Sequence, residues 1–148
     1  MNILIKIIKI SKKKFRIYGT NKSMKLLRDK EISQYFTDCT YKCLQSELLN
    51  KSSLLVLLGY NHKIDKFLLV LIAILSNEDS DIFTEFYNFL INTYNFYPEK
   101  ISFDFALGNI RGIQLAYDSS KDICIIVFDS NGKQEFEKNG SMAIRQKL

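Results

Sequence analysis

Two aspartates interrupt apolar, strand-prone stretches. Asp38 lies in Tyr-Phe-Thr-Asp-Cys-Thr-Tyr (35–41) and Asp104 in Ile-Ser-Phe-Asp-Phe-Ala (101–106). A carboxylate at the centre of one strand and another at the C-terminal end of a neighbour converge on one patch. Like charges repel there unless a divalent cation sits between them. Paired carboxylates holding Mg²⁺ are the means by which two-metal phosphoryl-transfer sites activate a water or a DNA 3′-hydroxyl and stabilise the leaving oxygen. The competing reading makes each Asp a strand-end residue that faces solvent or caps the next helix.

The second chemical feature is charge. The chain carries +5 overall, but residues 1–30 hold ten Lys/Arg against the single acid Asp29, while the remaining 118 residues hold 11 basic and 15 acidic side chains. A basic arm on a mildly acidic body suits a polyanion, nucleic acid above all, and Lys12, Lys13, Lys14 and Arg16 are its candidate phosphate contacts. A solvated edge of the first strand explains the same tract. His62, the single histidine, falls in an expected hairpin turn. Cys39 and Cys43 have no second pair to make a zinc site. The stripe Phe83, Phe86, Tyr87 and Tyr94 reads as core rather than as a base-stacking surface.

These side chains need a scaffold, and the composition supplies one. A chain of 148 residues with 47% hydrophobic and 25% charged residues is one domain with a sizeable core. The longest uncharged apolar run, Phe67 to Leu75, has nine residues, far short of the ~18 that a membrane span needs. Met1 to Ile10 carries Lys6 and Lys9 inside its apolar run, which argues against a secretory signal. Three cysteines imply no disulfide framework. Metal fingers, collagen, coiled coils and secreted mini-proteins are excluded, and an intracellular location is expected, nuclear if the host is eukaryotic.

The patterning predicts strands over 13–18, 34–43, 53–60 and 66–75, with a turn at 61–63. A helix of about 15 residues follows, carrying Phe83, Phe86, Tyr87, Leu90 and Tyr94 on one face and stopped by Pro98. A strand over 100–105, a helix over 109–116, a buried strand over 122–128 and a weak helix over 133–148 complete the chain. Three antiparallel strands followed by alternating helix and strand make an α/β (α+β mixed sheet) of the ribonuclease-H-like type. The expected division is a basic arm at 1–12, an incomplete core at 13–130 and a tail at 131–148.

Phe15 to Leu44 (FRIYGTNKSMKLLRDKEISQYFTDCTYKCL) resembles the opening of the catalytic domain of Mutator-like element transposases and their relatives associated with FLYWCH zinc fingers. Leu54–Asp79 and Phe83–Tyr117 resemble later segments of that family, in order, over about residues 13–130. The resemblance implies a DDE-type polynucleotidyl transferase that cuts and joins DNA during transposition with Mg²⁺ or Mn²⁺, Asp38 and Asp104 being its first two acids. Cys39, Gln45 and Ala106 depart from the family's Gly, Pro and Glu, and its Cys-x-x-His falls on Ile126 and Asp129. The third acid would come after Leu148, with Glu135 and Glu137 too early to replace it. The resemblance therefore implies a truncated, inactive transposase. The alternatives are a non-catalytic nucleic-acid-binding or interaction module, and a relic open reading frame.

Overall fold

The computed structural model describes residues 6–40, 52–104, 107–117, 123–129 and 132–137. In chain order the elements are β1 (Ile7–Ser11), β2 (Phe15–Thr20), a short α1 (Asn21–Met24) running into a 3₁₀ turn (Lys25–Arg28), β3 (Ile32–Thr40), β4 (Ser53–Asn61), β5 (Lys66–Leu75), α2 (Ser80–Tyr94), β6 (Lys100–Asp104), α3 (Leu107–Ala116), β7 (Cys124–Asp129) and β8 (Gly132–Glu137). The strands form one eight-stranded sheet in the order β1-β2-β5-β4-β3-β6-β7-β8. The β3–β6 and β6–β7 pairs are parallel and the others antiparallel, so the fold is a mixed α/β one with a largely antiparallel sheet.

Strict alternation drives the centre of this sheet. Along β4, Ser53, Leu55, Leu57, Gly59 and Asn61 are buried while Leu54, Val56, Leu58 and Tyr60 are half-buried. The buried set joins Ile17, Tyr35, Leu71, Ala73, Leu75 and Ile101 beneath α2 and α3. On α2, Ile82, Phe83, Phe86, Tyr87 and Leu90 recur at helical spacing and are all buried. Each large apolar side chain so buried contributes on the order of 1.5–3 kcal/mol.

Local chemistry sets the ends of the elements. Thr20 and Ser23 form a reciprocal capping box at the start of α1, the Thr20 hydroxyl accepting from the Ser23 N–H at 2.9 Å. Helix α2 stops at Tyr94, ahead of Pro98, because Asn95 takes a left-handed conformation (φ 55°). The Asn95 N–H then bonds to the Ile91 carbonyl and the Phe96 N–H to that of Leu90, closing the last turn. Arg28 donates to the carbonyls of Thr93 and Tyr94 and places a cation at that helix end.

The structure departs from the sequence-based expectation at both flanks. Residues 7–11, assigned to a basic arm, form β1 and pair with β2 from Ile7↔Thr20 to Ser11↔Arg16. The weak helix expected from 133 onward is replaced by β8, which pairs with β7 from Cys124↔Glu137 to Asp129↔Gly132. Lys133, Gln134 and Glu135 are good helix formers, but the unpaired backbone groups along β7 recruit them as a strand; tertiary context overrides propensity. Residues 138–148 and positions 41–43 of the strand expected over 34–43 lie outside the described residues. No helix among the described residues is long and apolar enough to cross a membrane.

Candidate functional site

Strands β3 and β6 run side by side in parallel, with Tyr35↔Ile101, Phe36↔Ser102 and Thr37↔Phe103 in register. The next position along both strands is Asp38 beside Asp104. The two aspartates therefore follow directly on the last rung of this ladder, on adjacent strands of the kind that a sheet spaces by about 4.8 Å. Asp38 also faces Val56 of β4 across its other edge, and Asp104 faces Phe128 of β7. Both stand at or near the C-terminal ends of their strands.

The pleat assigns these positions to a face. Thr37 is buried on the side of the helices, and Asp38, one residue on, is exposed on the opposite side. Phe36 shares that opposite side, where its ring packs against Phe67 with centroids 5.3 Å apart. Gln34 does too, and it donates to the Ser102 hydroxyl. Alternation thus puts positions 34, 36, 38, 102 and 104 on one face of the sheet.

Beneath the acid pair, on the helix side, lies a buried polar relay. The Tyr87 hydroxyl donates to Asn109 Oδ1 at 2.6 Å, and Asn109 Nδ2 donates to Thr37 Oγ1 at 3.2 Å. Tyr87, Asn109 and Thr37 are 0%, 1% and 4% exposed, so the three groups depend on each other for hydrogen bonding. Burial is the leading cause that holds the Tyr87 phenol protonated well above its ordinary range. Cys39 comes next along this side. Burial first, then the charge and hydrogen bond of Glu78, push its thiol up to about 12, against an opposing hydrogen bond from Ser53.

The basic tract is divided rather than pooled. Lys12 sits 5.0 Å above the Phe89 ring, and Lys14 reaches Glu85 at 3.2 Å, so both engage α2. Lys13 is exposed in the β1–β2 turn. Arg16 is exposed on β2 opposite Ile74, on the same sheet face as Asp38. His62 lies in the β4–β5 turn, as the sequence predicts, and its N–H bonds to the Glu31 carbonyl. Cys43 falls outside the described residues, and Cys124 is on β7. Glu135 and Glu137 occupy the edge strand β8, with β7 between it and β6.

Sequence reasoning singled out the two acids as candidates and passed over the relay. Its one visible signal was Asn109, an amide beside Ile110 and Ile113 on the buried face of α3. Glu78, partner of the Cys39 thiol, was hidden in a polar break before α2.

No family model matches the chain, and no curated protein does. Among solved structures the chain is similar to that of Ciona intestinalis endonuclease V in complex with a 24mer DNA containing an inosine followed by a ribo-adenosine. The identity is 13% and the TM-score 0.36, over 73% of this chain and 55% of that one. The chain thus spans little more than half of that structure's length. These findings correct the transposase expectation: the likeness found is to a distinct nuclease family, and the DDE-transposase ancestry and its strand-transfer chemistry are withdrawn. The resemblance rested on short motifs in which acids and small residues punctuate apolar strands, a pattern that any mixed sheet with polar strand ends produces.

Proposed function

We propose that this chain is a nucleic-acid-processing domain that hydrolyses phosphodiester bonds with the help of a divalent cation held at Asp38 and Asp104. The observation that carries this reading is the register of β3 and β6, which makes these two acids neighbours. Their place in the topology supports it. From β3 the chain runs one way through β4 and β5, then returns through α2 to lay β6 on the other side of β3. The carboxyl ends of parallel strands at such a reversal are where open α/β sheets bind ligands. The central order β5-β4-β3-β6-β7, with three antiparallel strands and then two parallel additions, supports a ribonuclease-H-like arrangement.

The donor set fits a hard cation. Carboxylate oxygens suit Mg²⁺ or Mn²⁺ rather than zinc, and Asp38 is open to solvent where such an ion arrives. Among the described residues no three His, Cys, Asp or Glu side chains converge into a larger metal cluster. A bound cation would neutralise phosphodiester charge and make water a better nucleophile. Asp38 and Asp104 orient it; Arg16, on the face of Asp38, and the exposed Lys13 attract the phosphate backbone, while Lys12 and Lys14 are engaged by α2.

The test is cleavage of labelled single- and double-stranded DNA and RNA by the purified chain in Mg²⁺, Mn²⁺ or EDTA. Metal-dependent cutting that falls at least ~100-fold in Asp38→Asn and in Asp104→Asn is expected, a loss of about 2.7 kcal/mol of transition-state stabilisation. Cutting that persists in EDTA or in both variants overturns the reading. Salt-sensitive binding that survives the double substitution, without any cutting, would instead establish a non-catalytic binding module.

A further inference from the structure

We infer that the Tyr87–Asn109–Thr37 relay is a positioning device that fixes the spacing of the two acids; the inference rests on their proposed role as cation ligands. Thr37 immediately precedes Asp38 on β3. Asn109 lies in the first turn of α3, five residues beyond Asp104, and α3 begins at Leu107, three positions after the end of β6. The Asn109 Nδ2 to Thr37 Oγ1 bond therefore ties the segment leaving the second acid to the residue adjoining the first. Tyr87 anchors the same amide to the third turn of α2, the crossover that brings β6 alongside β3.

The three elements come from distant parts of the chain, 72 residues separating Thr37 from Asn109 and 22 separating Tyr87 from Asn109. The relay is buried, so no water competes for its donors, and breaking one bond leaves a polar partner unsatisfied in the core. The described β3–β6 ladder is three rungs long and ends at Thr37↔Phe103, one position short of the acids. Beyond that last rung, the relay is a side-chain connection between the end of β3 and the start of α3. Glycine at 108 completes the clamp: a Cβ there would stand 2.2 Å from the Glu78 carbonyl oxygen, so α3 seats against the loop before α2 only because position 108 has none.

Two substitutions at one position separate positioning from folding. Thr37→Val keeps the shape of the side chain and removes the acceptor; Thr37→Ser restores it. The readouts are Mn²⁺ affinity, followed by the paramagnetic signature of the bound ion, and amide exchange at residues 36–38 and 102–104. In Thr37→Val we expect faster exchange confined to those rungs and Mn²⁺ binding at least roughly tenfold weaker, the loss typical when an outer partner of a metal ligand is removed. Thr37→Ser should bind Mn²⁺ as the parent does. Tyr87→Phe, which retains the Asn109–Thr37 bond, should give a smaller shift of the same sign and serves if Thr37→Val does not fold. Unchanged exchange, or faster exchange with unchanged Mn²⁺ affinity, overturns the positioning role. If the parent itself binds no Mn²⁺ while exchange responds as expected, the cation reading fails, the positioning of ligands fails with it, and the relay stands only as a structural clamp.

Discussion

Cys39 and Asp38 are sequence neighbours with opposite surroundings, one facing the helices and the other solvent. The thiol is held neutral by burial and by Glu78, with a pKa raised to about 12, well above the ~8.5 of a free cysteine. In a chain with Cys43 and Cys124 replaced by Ser, alkylation by iodoacetamide should be slow at neutral pH and keep accelerating beyond pH ~9, where a free thiol levels off. Glu78→Gln removes the negative charge and should speed the reaction at pH 8. Equal rates in the two proteins would contradict the assigned cause. Asp38 and Asp104 were legible in the sequence because a charge inside an apolar strand costs energy unless the position is a strand end or a site. Their convergence on one patch was an expectation; the register of β3 against β6 that sets it was not legible, since it depends on the whole α2 crossover. Thr37, Asn109 and Tyr87 each look ordinary in isolation; only the packing of two helices on one strand makes them a unit.

Among the elements, β4, β5 and α2 were read almost to the residue, their periodicity being long and uninterrupted. The edges were not. β1 has an alternating IIKIS pattern in which Ile7 is 68% exposed, and β8 is built from helix-favouring polar residues. Neither sequence carries an apolar alternation strong enough to announce a strand, and both are recruited by backbone pairing with a neighbour. The contact between α2 and α3 gives the sharpest prediction at this scale. A Cβ on Gly112 would lie 2.3 Å from the Phe83 Cβ and 3.0 Å from its backbone. Gly112→Ala should therefore lower stability by ~1–3 kcal/mol in urea unfolding, although alanine favours a free helix by about 1 kcal/mol. A stabilised variant would show that the helices can separate without penalty.

For the molecule as a whole, three phenols are kept protonated, chiefly by burial: Tyr35, Tyr87 and Tyr117 all titrate above their ordinary range. In the unfolded chain they ionise near pH ~10. Below that value both states hold the protons, so their ionisation leaves stability unchanged. Above it the unfolded state loses them first, and stability falls by up to ~1.4 kcal/mol per pH unit for each tyrosine. Thermal melts followed from pH 8 to 12 should therefore show a steep alkaline limb, reduced in slope by Tyr87→Phe. A flat profile would mean that these phenols are reached by solvent.

The order of the strands also governs how the chain is made. β3 leaves the ribosome ahead of β4, its antiparallel partner, but its other edge must wait until β6 has been synthesised some sixty residues later. Throughout that interval β3 presents a line of unpaired N–H and C=O groups, the kind of edge that joins other nascent chains. Asp38 puts a negative charge one position beyond the end of that line. The carboxylate proposed above as a cation ligand thus also has the charge and placement of a gatekeeper, which would discourage intermolecular pairing until the native neighbour arrives.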